Sequence, residues 1–121
     1  MEPVIQGEGF TLKASKLDYF FGRVQSEANQ VRSQQNCRDL AQLGILDTTA
    51  GRRHLLRLFQ QGLTGPEISR RITPYGLNIT RSVSLRYEQT QGEIQVIYFY
   101  PKADLTQTPQ VVSLIPKIYR T

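Results

Sequence analysis

The feature that most constrains this chain is a change of hydrophobic period near its middle. Up to about Leu63 the apolar residues recur at intervals of three and four, the spacing of one face of a helix. From Leu77 onward they alternate with polar residues, the spacing of a half-buried strand. One core fed first by helices and then by strands is an α+β arrangement.

The helical half reads as three segments. Ser15-Lys-Leu-Asp18 resembles a capping box, and Leu17, Phe20, Phe21 and Val24 follow it as a buried stripe until Gly22 weakens the helix. Ser26 opens a longer helix running to about Leu43, with Gly44 as its left-handed terminator and Ile45 as the hydrophobic follower. Asp47 or Thr48 caps a third helix whose apolar face is Leu55, Leu56, Phe59 and Leu63; Gly62 and Gly65-Pro66 stop it. Residues 67–73 fit either a last helical turn or a first strand.

Beyond Pro74-Tyr75-Gly76 the strand half begins. Leu77, Ile79, Val83, Leu85 and Tyr87 alternate with polar residues, with Arg81 alone breaking the apolar side. Residues 88–92 read as a hairpin connection. Glu93–Tyr100 is apolar on both faces, which points to a covered central strand, and Val111–Ile118 is a further strand that Pro116 either places at an edge or stops from pairing. The expectation is a single domain over residues 1–121: a loose arm or an edge segment at 1–9, a helical half at 15–63 and a sheet half at 77–118. In fold terms this is two to three N-terminal helices packed on a C-terminal antiparallel sheet of three to four strands.

Charge placement narrows the partners. The net charge is +5, and the excess lies between residues 51 and 86, where Arg52, Arg53, Arg57, Arg70, Arg71, Arg81 and Arg86 face Glu67 alone. Guanidinium forks match phosphate oxygens in pairs, so a polyanion, and nucleic acid first, is the expected partner. A solvated arginine face that only keeps the chain soluble fits the same composition. One cysteine, Cys37, and one histidine, His54, leave no set for a Cys- or His-rich metal site, and no metal or other cofactor is expected. Phosphate-loop, dinucleotide, zinc-protease and serine-hydrolase motifs are absent. No apolar run approaches the length of a membrane span and no signal-peptide pattern opens the chain, so a cytoplasmic location without a membrane partner is expected.

Three constellations carry candidate chemistry. Asn29, Arg32, Ser33 and Asn36 fall at i, i+3, i+4 and i+7, one polar stripe of amides, a hydroxyl and a guanidinium on a helix. Such a stripe suits phosphate, ribose or base edges; it equally fits a helix face bonded to a neighbouring loop or sheet. Arg53, His54 and Arg57 stand early on the third helix, where a histidine among arginines can move a proton at an RNA 2′-hydroxyl or leaving oxygen; an ordinary surface histidine is the plainer alternative. On the strands, Arg81 and Arg86 with Tyr98 fit phosphate contact and proton transfer or base stacking, against the plainer reading of sheet packing. The candidate catalytic residues are therefore His54, Arg32 and Tyr98. The candidate nucleic-acid contacts are Asn29, Arg32, Ser33, Asn36, Arg53, Arg57, Arg81 and Arg86.

Several runs in the chain also resemble a known family. They are Phe10-x-Leu12, Lys16-Leu-Asp-Tyr-Phe-Phe-Gly22, Asn29-x-x-Arg32-Ser33-x-x-Asn36, Leu43-Gly-Ile-x-Asp47 and Gly51. This pattern is similar to the C-terminal toxin domains of bacterial polymorphic and contact-dependent growth inhibition proteins. The resemblance covers the first half of the chain; the strand half matches only in layout. It implies a helix-plus-sheet ribonuclease related in architecture to barnase- and colicin-type toxins that cut tRNA without a metal. It also implies an acidic immunity protein as a partner, and it places Asn29, Arg32 and Ser33 near the site. The family pattern has a histidine before its asparagine; this chain has Ala28 there. An inactive RNA- or protein-binding module of the same fold is the alternative which that difference favours.

Overall fold

The strand half is organised by one long hairpin. The computed structural model of the chain describes residues 2–24 and 27–119. In it β4 (Gly76–Tyr87) and β5 (Thr90–Pro101) pair antiparallel without a slip, from Gly76 opposite Pro101 to Tyr87 opposite Thr90. The connection is only Glu88-Gln89, with Glu88 at φ 55°, the left-handed backbone that a two-residue hairpin requires. The expected loop at 88–92 is thus shorter. Gly92 lies within β5, where a side chain would strike the Lys117 carbonyl.

The other elements are β1 (Val4–Gln6), β2 (Thr11–Lys13), α1 (Ala14–Phe20), α2 (Glu27–Gln42), α3 (Thr49–Gly62), β3 (Glu67–Thr73) and β6 (Gln110–Ile118). The sheet order is β1-β2-β6-β5-β4-β3. This corrects the expectation of three to four antiparallel strands: among the described residues there are six, and the sheet is mixed. β1 and β2 are three residues each, too short to show alternation; of the two readings of residues 1–9, the edge segment is the one that holds, since β1 is the first strand in the order. β2 runs parallel to β6 through Thr11 opposite Gln110 and Leu12 opposite Val111. No local pattern announces a partner about a hundred residues away. Residues 67–73 resolve as a strand, exposed along almost all of its length.

One face of the sheet carries the core. Ile94, Val96 and Tyr98 of β5, Ile79 and Val83 of β4, and Val111 and Leu114 of β6 are buried against helix residues Leu17, Phe20, Leu40, Leu55 and Phe59. Phe20 and Phe10 meet Phe59 edge-on, with ring centroids 6.0 and 5.8 Å apart. Burial of each such side chain contributes roughly 1.5–3 kcal/mol. On the opposite face of β5, Ile97 and Phe99 are only half-buried, so the expected cover on both sides is incomplete.

The helix ends explain how α1 and α2 meet. Each closes on a glycine in the left-handed region: Gly22 at φ 77° and Gly44 at φ 84°. At the first, the N–H groups of Gly22 and Arg23 bond the Tyr19 and Asp18 carbonyls. At the second, those of Gly44 and Ile45 bond Ala41 and Leu40. α1 begins at Lys13 with no side-chain cap. Ser15, expected to cap it, lies inside the helix and donates its hydroxyl to Glu2. Ser26, expected to open α2, lies outside the described residues. Thr48 caps α3, its hydroxyl accepting from the Gly51 N–H at 2.9 Å.

Candidate functional site

The polar stripe of α2 faces the edge of the sheet. β2 pairs with β6 only at the start of β6, so from Ser113 onward that side of β6 has no strand neighbour and α2 packs alongside it. Pro116, which lacks a ladder N–H, sits in this stretch, as its chemistry requires.

Between α1, α2 and β6 run two adjoining cavities that share Tyr19 and Ser113 in their walls. The first, about 340 Å³, is lined by Ser15, Lys16, Tyr19, Phe20, Val24, Asn29, Val112 and Ser113. The second, about 360 Å³, is lined by Tyr19, Arg32, Gln35, Asn36, Ser113, Leu114 and Ile115. Together they form one groove with an apolar floor, amide and hydroxyl walls and a cation in each half. Neither Lys16 nor Arg32 has an ion-pair partner among the described residues. Glu2 is exposed and held below the ordinary carboxylate range, first by the Ser15 hydroxyl and then by Lys13 and Lys16.

Ser33 shares the stripe but not the groove surface. It is fully buried, and its hydroxyl donates to the Tyr19 carbonyl, the same oxygen that accepts the Gly22 N–H. Ser33 therefore fastens α2 to the end of α1 and fixes the spacing of Tyr19 from Arg32.

A second cluster joins the end of α1 to the start of α3. The Asp47 carboxylate accepts from Arg23 at 2.6 Å and from Arg52 at 2.9 Å, and Arg52 also reaches Asp18 at 3.3 Å. The Arg52 guanidinium lies 5.2 Å from the centroid of the Phe21 ring. Desolvation alone would raise the Asp47 carboxyl; the two guanidiniums outweigh it and hold it below the usual range. Asp18, Phe21, Asp47 and Gly51 all belong to the runs that carry the family resemblance. Here they tie α1 to the start of α3.

The remaining candidates are dispersed. Arg53 and Arg57 are exposed on α3 and His54 is half-buried there, and none of the three lines the groove. Arg57 borders a separate cleft with Gln6, Glu8 and Gln60. Arg81 points to the core side of β4, where its Nη1 donates to the Gly65 carbonyl at 2.9 Å while its buried Nε has no partner. Arg86 is exposed beside the β4–β5 turn. Tyr98 is fully buried, its hydroxyl donating to the Phe59 carbonyl, and burial pushes its phenol well above the ordinary tyrosine range. The structure thus gathers Asn29, Arg32 and Asn36 and separates the rest. It adds Lys16, Tyr19 and Ser113, which sequence reasoning did not single out. Lys16 and Tyr19 lay within a quoted run, but only the fold sets them across from α2.

No protein-family model matches the chain, and no curated protein sequence matches it. The arrangement defines a class by shape: among the described residues, a six-stranded mixed sheet with three helices, two of them walling a groove at the sheet edge. Among solved structures, that shape superposes on a chain of a contact-dependent growth inhibition toxin–immunity protein complex from Klebsiella pneumoniae 342, with a TM-score of 0.70. The match covers 88% of this chain and 98% of that chain at 19% identity, so what the two share is the fold. No helix among the described residues is long and apolar enough to cross a membrane.

Proposed function

We propose that the chain is a toxin-like domain directed at RNA, with the groove between α2 and β6 as its binding site. The observation that carries this reading is the pair of cations, Lys16 and Arg32, without ion-pair partners among the described residues and set in one groove among amides and hydroxyls. A phosphodiester backbone needs that combination: point charge, a planar fork, and donors for ribose and base edges. The shared fold with a chain of a toxin–immunity protein complex supports the toxin part.

In the active form of this reading the domain is a metal-independent endoribonuclease acting on tRNA or another structured RNA. The substrate 2′-hydroxyl attacks the adjacent phosphorus and the 5′-oxygen leaves with a proton, yielding a cyclic phosphate end. Arg32 stabilises the charge gathering on the phosphoryl oxygens, and Asn29 and Asn36 orient the strand. Lys16 and Tyr19 are the groove side chains that carry a transferable proton; His54 reaches such a substrate only if the RNA also crosses α3. A small acidic protein partner belongs to the same reading.

The second reading, a non-catalytic RNA-binding module, is favoured by Ala28, which stands where the resemblance implies a histidine. Incubating the folded chain and its Arg32→Ala variant with total bacterial RNA in EDTA separates the two. Discrete cleavage by the wild type alone is the expected result of the nuclease reading. Intact RNA with salt-sensitive binding selects the module, and neither cleavage nor binding removes RNA from the account.

A further inference from the structure

The far edge of the sheet is built for a protein strand. β3 is the last strand in the order, and among the described residues nothing pairs with its outer side. Its seven residues extend roughly 23 Å at 3.3 Å per residue. The other free edges are managed. β1 has three residues, and the open part of β6 carries Pro116 and is flanked by α2. On β3 and its turn, by contrast, Ile68 is 47% exposed and Ile72 and Tyr75 are each 81% exposed. Ile72 lies opposite buried Leu77, so the apolar row of the core runs out through it to solvent.

Charge selects the occupant. Arg70 is held by Glu67 at 2.7 Å, whereas Arg71 is exposed with no ion-pair partner among the described residues. In the fully overlapped antiparallel register of a second copy, with Glu67 opposite Thr73, Arg70 would face its own counterpart, and like charges directly opposite destabilise a strand pair. A strand with carboxylates facing Arg71 and an apolar residue beside Ile72 meets both demands. We infer that β3 is the docking edge for a partner protein, which adds an acidic edge strand to the sheet. The inference locates the partner of the reading above, and rests on it only there; it holds even if the groove proves inert toward RNA.

The test uses a ten-residue peptide of alternating glutamate and valine, titrated into the isotope-labelled full chain and followed by amide NMR. The expected result is shifts and slowed hydrogen exchange confined to Glu67–Thr73 and the turn at Pro74-Tyr75. A peptide alternating lysine and valine should leave those amides unmoved. Arg71→Glu, at an exposed position that leaves the fold intact by circular dichroism, should weaken the glutamate peptide about tenfold, while Arg71→Lys retains it. Absent shifts at millimolar peptide, equal response to both peptides, or shifts along Asn29–Asn36 instead would overturn the proposal. So would a concentration-dependent dimer that Ile72→Asn abolishes, which assigns the edge to a second copy. None of these readouts involves RNA, so failure here and failure of the groove reading are separable.

Discussion

At the scale of single residues, the arginines divide into braces and free charges. Arg23 and Arg52 clamp Asp47 and Arg81 holds the Gly65 carbonyl, whereas Arg32 is free and faces the groove. Arg32→Ala is therefore expected to abolish RNA cleavage or binding while leaving the melting temperature within a degree or so of wild type, since exposed substitutions usually change stability by less than about 0.5 kcal/mol. Unchanged activity would take the α2 stripe out of the site. Asp47→Asn should do the reverse, lowering stability at neutral pH by about 1–2 kcal/mol in urea denaturation without touching the groove lining. The Asp47 carboxyl lies below its unfolded value of about 3.9. Its contribution is thus fully present above that value and lost as pH falls through the lower folded one. The gap between wild type and Asp47→Asn should close in acid; a gap independent of pH would refute the clamp. Ala28 precedes Arg32 by four positions on α2, so a histidine there stands one turn away on the same face. Ala28→His is expected to raise RNA cleavage at least about tenfold, with a rate that follows imidazole titration near neutral pH. No gain would sever the carried-over histidine from the chemistry.

At the scale of elements, the helices were legible and the sheet was only partly so. Leu17, Phe20, Leu40, Leu55 and Phe59 repeat with the helical period and are all buried, so periodicity found all three helices, although the stripe expected to reach Val24 overran α1, which ends at Phe20 before the left-handed Gly22. Gly44 announced the end of α2 because left-handed backbone at that point favours glycine. The long β4–β5 hairpin also showed, since β4 alternates from Leu77 apart from Arg81 and β5 is rich in β-branched and aromatic residues. β1, β2 and β3 did not. Among the described residues β1 pairs only with β2, β2 is held in the sheet by the distant β6, and β3 has almost no buried face to imprint a pattern. The site was legible to the same degree: the α2 stripe could be read from spacing alone, whereas Lys16, Tyr19 and Ser113 become neighbours of it only through tertiary packing. Ser33 illustrates the ambiguity, for its hydroxyl serves the α1 terminus. Ser33→Ala is expected to lower stability by about 1 kcal/mol and to loosen the groove, visible as faster amide exchange at Phe21 and Gly22. An unaltered exchange pattern would mean that packing alone holds the two helices.

At the scale of the whole molecule, charge sets how any polyanion arrives. The chain carries +5 overall, and the braced arginines leave fewer free cations than composition implies. If RNA lies in the groove, affinity should fall linearly with salt on logarithmic axes, and Arg32→Ala should make that slope shallower by about 1. An identical slope would place the phosphate contacts on the exposed α3 arginines instead.

The pairing of β2 with β6 has a kinetic consequence. Thr11 finds its neighbour only at Gln110, so closing the sheet requires a loop of nearly the entire polypeptide. A chain emerging residue by residue, from a ribosome or through a pore, holds Leu12 without its strand partner Val111 until β6 has appeared. Assembly then becomes a late, concerted step, and until that moment the polypeptide stays slender enough to thread.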